Sequence, residues 1–239
     1  MFKKSLLALA LGTTATLSAM SAHAVNVNNG DTLTITAGIT QTDANGNPTN
    51  VTNSWFGMDV NNNSAISGTE KTALAQGTTG LVIGVTTSAG ASHSGCPTGS
   101  DSNAITAPWC FFGNTGSDYL TTAVTGGTTG LNMSGWTVTW NSIAAIPMGS
   151  GAWGTGFTSG VGNFVWDGVY GDSYTLDYHA TVPQGDPSGF GGVKYGLHLV
   201  GVVTAPVPEA STYGMMLAGL SLVGLRLRRR ATHAHRILT

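Results

Sequence analysis

Apolar residues in this chain recur at every second position in short runs, and glycine-rich connections separate the runs. Leu33, Ile35 and Ala37 share one face, and so do Trp136, Val138 and Trp140, with Thr137 and Thr139 opposite. Tyr174, Leu176, Tyr178 and Ala180 repeat the pattern. Val193, Tyr195, Leu197 and Leu199 form a last run that continues toward Val202 and Val203. Successive side chains of a strand point to opposite faces, so this spacing specifies half-buried β-strands. Leu81-Val82-Ile83-Gly84-Val85 is apolar without alternation and predicts a strand buried on both sides.

Asn45-Gly46-Asn47-Pro48, Gly126-Gly127, Gly149-Ser150-Gly151 and Asp186-Pro187-Ser188-Gly189 supply turn signals between the runs. Many short strands joined in this way predict an all-β domain over residues 25–205, an antiparallel β-sandwich or jelly-roll-like ectodomain. No fixed-period repeat points to a propeller or solenoid. The Trp136 and Trp140 stripe reads as the inner face of a sheet; its rival is a sugar-stacking platform.

The two ends carry different signals. Lys3 and Lys4 precede a largely apolar stretch from Leu6 to Leu17, and Ala22-His23-Ala24 supplies the small residues of a signal-peptidase site. Residues 1–24 therefore read as a secretory signal peptide, recognised for cleavage through Ala22 and Ala24. Charge follows the same division. Of the nine basic residues only Lys71 and Lys194 lie between Val25 and Glu209, against all eleven acids, a net charge of −9 for that section. Nucleic acid and anionic lipid would need clustered Lys and Arg, so neither is expected as a partner of the ectodomain.

Cys96 and Cys110 are the only cysteines, and both sit beside loop-forming prolines, Pro97 and Pro108. An export route permits a disulfide between them, contributing about 3 kcal/mol for a loop of about 15 residues. Two reduced thiols are the alternative. No CxxC pair or Cys/His cluster suggests zinc or redox chemistry.

After the last strand, Ala205-Pro206-Val207-Pro208-Glu209-Ala210 can continue neither a sheet nor a helix cleanly. Met215 to Leu225 is apolar, and Arg226, Arg228, Arg229 and Arg230 follow as a membrane stop on the cytoplasmic side. A helix over 210–225 would rise about 24 Å against a hydrocarbon core of about 30 Å. Snorkelling and bilayer thinning allow it to span, and lying in the interface is the other outcome.

Val207-Pro208-Glu209-Ala210-Ser211-Thr212-Tyr213, followed by the apolar segment and its Arg cluster, resembles the PEP-CTERM sorting signal. The resemblance implies recognition by exosortase, a membrane-embedded cysteine protease or transpeptidase. It makes 206–230 a sorting signal with a single transmembrane sorting helix and 231–239 a cytoplasmic tail. It also implies an exported protein that passes through an inner-membrane intermediate to the cell surface or extracellular space, associated with exopolysaccharide. Ala210 departs from the family's second proline, which bears on cleavage. A plain C-terminal anchor is the rival; it would leave a membrane-anchored periplasmic protein and give no reason for Pro208-Glu209. Ser54-Trp55-Phe56-Gly57-Met58-Asp59 and Trp166-Asp167-Gly168-Val169-Tyr170-Gly171 are similar to segments of exported PEP-CTERM proteins, a likeness that implies no activity.

One segment suggests a cofactor. From Asp59 to Glu70, side-chain oxygens fall at loop positions 1, 3, 5, 9 and 12 through Asp59, Asn61, Asn63, Ser67 and Glu70, and Ala65 offers its carbonyl. This resembles the EF-hand or dockerin calcium loop, with Ser64 in place of the turn glycine. The same residues also read without metal: Ser67 and Glu70 form a capping box opening a short helix through Leu74 to Gln76. The run Asp43-Ala44-Asn45-Gly46-Asn47 starts alike but has Ser54 at the twelfth position and reads as a turn.

His93, His179 and His198 are scattered, and neither HExxH nor GxSxG occurs. Asp167, Asp172 and Asp177 are the acids that would have to meet for glycosidase chemistry. The sequence thus predicts a non-enzymatic, exosortase-sorted surface or matrix protein. The alternative is a calcium-assisted carbohydrate-binding β-sandwich module.

Overall fold

The computed structural model describes residues 27–74, 80–87, 116–127, 130–140, 143–206, 214–223 and 226. In chain order its strands are β1 (Thr32–Leu33), β2 (Ile39–Thr42), β3 (Pro48–Thr52), β4 (Trp55–Met58), β5 (Lys71–Ala73), β6 (Leu81–Val82) and β7 (Gly116–Leu120). They continue with β8 (Gly126–Gly127), β9 (Gly130–Asn132), β10 (Trp136–Trp140), β11 (Ile143–Pro147), β12 (Val161–Val165), β13 (Ser173–Thr181) and β14 (Lys194–Thr204).

The longest alternating runs make the longest strands. β13 and β14 pair antiparallel over nine rungs, from Ser173 opposite Val202 to Thr181 opposite Lys194. Tyr174, Leu176, Tyr178 and Ala180 on β13, with Tyr195, Leu197, Leu199 and Val203 on β14, all point into the core. Around this pair the large sheet runs β5-β4-β14-β13-β12-β9-β8, while β1 lies against the end of β14 and β6 lies against β1. β11-β10-β7 forms a second sheet and β2-β3 a hairpin, and every ladder is antiparallel.

Trp136 joins the two sheets. Its ring on β10 lies 5.8 Å from Tyr195, 6.2 Å from Tyr178 and 6.3 Å from Phe56, in edge-to-face contacts. The three-stranded sheet therefore covers the inner face of the large one. The Tyr178 and Tyr195 hydroxyls both donate to the Met148 carbonyl, so the polar ends of these rings are satisfied inside the core. Burial raises the pKa of both phenols and of Tyr174, whose hydroxyl bonds the Thr34 carbonyl. Close approach at that corner depends on Gly201: a Cβ there would stand 1.7 Å from the Thr34 carbonyl oxygen.

The all-β expectation holds, and three local expectations do not. Leu81–Val85 is not a strand buried on both sides. Only Leu81 and Val82 pair, with β1, and Gly84 turns the chain at φ +81°. Leu81 and Ile83 are buried while Val85 is 40% exposed, and beyond β6 the Gly84 and Thr87 amides bond the Val124 and Leu120 carbonyls instead of continuing along β1. Thr137, read as facing away from the core, is buried.

The third correction concerns the C-terminus. A helix, α1, covers 214–223, and Arg226 is also helical. Among the described residues no helix is long and apolar enough to cross a membrane, which overturns the single transmembrane sorting helix. The signal peptide with Ala22 and Ala24, Cys96 and Cys110, Val207 to Ser211, and Arg228, Arg229 and Arg230 lie outside the described residues.

Candidate functional site

The loop from Asp59 to Glu70 connects β4 to β5, which pair through Gly57 and Lys71. Short polar side chains curl it by bonding nearby amides, the usual competition of Asx residues with regular structure. Asp59 accepts the Asn63 and Ser64 amides, both at 2.9 Å. Asn61 Oδ1 accepts the Asn63 amide at 3.0 Å, and Asn63 Oδ1 accepts that of Ala65 at 2.9 Å. Asn62 and Ser64 consequently take φ of 54° and 63°, the left-handed region where glycine is at ease.

Glu70 closes the loop on itself. One carboxylate oxygen accepts the Val60 and Asn61 amides at 3.1 and 3.4 Å; the other accepts the Ser67 amide and hydroxyl, both at 2.8 Å. The bonds from the Ser67 backbone, then from its side chain, hold the Glu70 pKa below its ordinary value. The expected capping box is present, yet it opens a single 3-10 turn, Gly68–Glu70, instead of a helix. The chain enters β5 at once, since pairing with β4 outweighs the local helical signal. Ile66 fixes the loop to the outer face of the large sheet, filling space that a Cβ on Gly57 would enter at 2.6 Å.

The structure also places a cation here. Lys194, the first residue of β14, donates to Ser64 Oγ at 2.9 Å and Asn62 Oδ1 at 3.2 Å. Its Nζ lies 3.9 Å from Asp59 Oδ2, whose side chain is fully buried. Sequence reasoning did not connect Lys194 with the loop, 130 residues away. The available signal was scarcity: it is one of two cations between Val25 and Glu209, a section that holds eleven acids. Asp59, Asn61, Asn63 and Glu70 are brought into one loop, but their oxygens receive amides; Ser67 serves Glu70, and the Ala65 amide is bonded by Asn63. For calcium the donor set offers two carboxylates, and the Lys194 ammonium already stands beside one of them. Among the described residues no group of three or more His, Cys, Asp or Glu is placed to hold a metal ion.

The other titratable residues singled out in the sequence separate into two places. Asp167 and Asp172 meet at the β12–β13 connection, where a hydrogen bond and the charge of Asp167 raise the Asp172 pKa. Asp177 does not join them. It lies five residues further along β13, about 16 Å away in an extended chain, and contacts His198 at 2.6 Å. His179 lies next to Trp153 and Phe157. Trp136 is completely buried and offers no sugar platform, while Trp140 packs on Phe190 at the rim of an apolar cavity of ≈ 90 Å³ between the sheets.

Together these observations define an all-β domain whose clustered polar side chains largely bond one another or nearby backbone. Its address is more specific. Residues 206–230 match the PEP-CTERM protein-sorting motif, beginning two residues after β14 ends at Thr204. The chain thus carries the sorting motif of an exported protein processed by an exosortase-type enzyme. No curated protein and no solved structure matches the chain.

Proposed function

We propose that this chain is a non-enzymatic structural protein of the cell surface or extracellular matrix, associated with exopolysaccharide after exosortase has processed its C-terminus. The sorting motif at 206–230 carries the reading. The domain it delivers suits a structural role: its core is continuous through both sheets, and its only described lysines are used within the fold. The net charge of −9 between Val25 and Glu209 keeps such a domain soluble and away from anionic bilayers. In this reading the 59–70 loop is a rigid connection closed by Glu70 and Lys194, and holds no resident metal.

Fractionation of cells with and without the exosortase tests the proposal. The protein should reach the surface or matrix fraction only when the enzyme is present, and a domain purified from that fraction should show no turnover on polysaccharides. Equal delivery in both strains, or turnover lost on changing Asp177 or Asp172, would refute it.

A further inference from the structure

Segment 149–160 crosses the outer face of the large sheet, opposite the core. It contains no ionisable side chain, and Gly151, Gly154, Gly156 and Gly160 all adopt positive φ, between 69° and 88°. Glycine at such positions leaves the backbone free to rearrange with little steric cost. What holds its centre down is aromatic. Trp153 stacks on His179 with centroids 4.4 Å apart and planes 15° apart, and Phe157 stacks on the same imidazole at 3.8 Å and 12°. Two rings so near and so parallel cannot share one side, so His179 is sandwiched. The Trp153 indole N–H adds one bond, to the Tyr195 carbonyl at 2.8 Å.

The imidazole edges are enclosed as well. The Cδ2 and Nε2 edge lies against Gly196, where a Cβ would meet both atoms at 3.1 Å, and Nδ1 faces Gly154. Nδ1 is buried and makes no hydrogen bond of normal geometry. A neutral imidazole tolerates this, whereas a protonated ring has two charged N–H donors that need acceptors or water. Among surrounding groups, Asp177 on β13 favours the charged form, but its Oδ1 is engaged by His198 of β14. The loop that brings Ile66 to Gly196 carries Asp59 and Glu70, both bonded to backbone amides. Burial, the largest influence, lowers the His179 pKa below its ordinary 6.5, against the opposing pull of Asp177 and the Trp153 backbone.

We propose that segment 149–160 is an acid-released cover on the outer sheet face, with His179 as its trigger. At neutral pH the ring is uncharged and the Trp153–His179–Phe157 stack holds the segment in place. As the pH falls below about 6.5, the released state takes up a proton that the covered state refuses, so the balance moves toward release. Lifting the cover hydrates the imidazolium and exposes Trp153, Phe157 and the glycine-floored strip around Gly196.

Hydrogen–deuterium exchange of the full-length protein at about pH 7.5 and about pH 5, corrected for intrinsic exchange, tests this directly. The amides bonded through the segment, Gly151 to Ser159 Oγ, Val161 to the Thr158 carbonyl and Thr181 to the Ser150 carbonyl, should lose protection by up to about tenfold per pH unit, while those of β13 from Tyr174 to Ala180 keep theirs. His179→Phe, which keeps a stacking ring, should flatten the dependence. Equal protection at both pH values, or a dependence that survives in the Phe variant, overturns the proposal. Should that variant not fold, NMR titration of His179 in the unaltered protein decides: a value below 6.5 supports the trigger, and one at or above it refutes it.

Discussion

His198 Nδ1 stands 2.6 Å from Asp177 Oδ1 across the β13–β14 pair, and the same imidazole stacks on Trp55 with centroids 5.7 Å apart. Lys71 completes the row, its Nζ 4.5 Å from the Trp55 ring centroid. Four neighbouring strands, β13, β14, β4 and β5, are thereby tied on the outer face by a ladder with an acid at one end and a cation at the other. Cross-strand pairs of this kind are the unit of sheet stabilisation.

Asp177→Ala should therefore destabilise the domain, but modestly. The carboxylate is 43% exposed, so screening limits the contribution of the pair to about 0.5–1 kcal/mol. A double-mutant cycle with His198→Ala in urea denaturation checks it; additive effects would mean the contact contributes nothing.

Trp136 is the opposite case. Its ring is completely buried among Phe56, Tyr178 and Tyr195, and it joins the two sheets. Trp136→Ala should cost about 3–5 kcal/mol, the range for losing a large aromatic from a packed core. Thermal unfolding measured by circular dichroism would show it.

Lys194 makes the calcium question decidable. Metal entering the 59–70 loop must displace an ammonium that bonds Ser64 and Asn62 beside Asp59. Lys194→Met should thus raise calcium affinity relative to the unaltered protein in calorimetric titration at millimolar metal. Tighter binding by the unaltered protein would show that Lys194 does not occupy the cation position.

Glu70 sets an acid limit on the same loop. Its carboxylate pKa lies below the ordinary 4.5 because the Ser67 amide and hydroxyl favour the charged form. Its contribution is complete above about 4.5 and is lost as the pH falls through the depressed folded value. Glu70→Gln should flatten that acid limb in melting temperature against pH, and an unchanged limb would place the acid sensitivity elsewhere.

The strands most legible in the sequence were those with strict alternation. Tyr174 to Ala180 and Tyr195 to Leu199 alternate because one face of β13 and β14 is core and the other is not. Their neighbours could not be read. β14 pairs with β4 and β1, more than a hundred positions away, and no local pattern encodes that choice. The loop illustrates the same division. Its Asx residues and capping box were visible as spacing, while Lys194 and the early switch into β5 depend on tertiary pairing. The C-terminal segment was read correctly as a sorting motif from ordered residue types, whereas the spanning helix expected with it is overturned, since among the described residues no helix is long and apolar enough to cross a membrane.

The intact mass of the protein recovered from cells with and without the exosortase tests the central claim most directly. The account predicts a shorter species, lacking the Arg226 to Arg230 cluster, only where the enzyme is present. The same full-length mass from both strains, with that arginine cluster still attached, would contradict it.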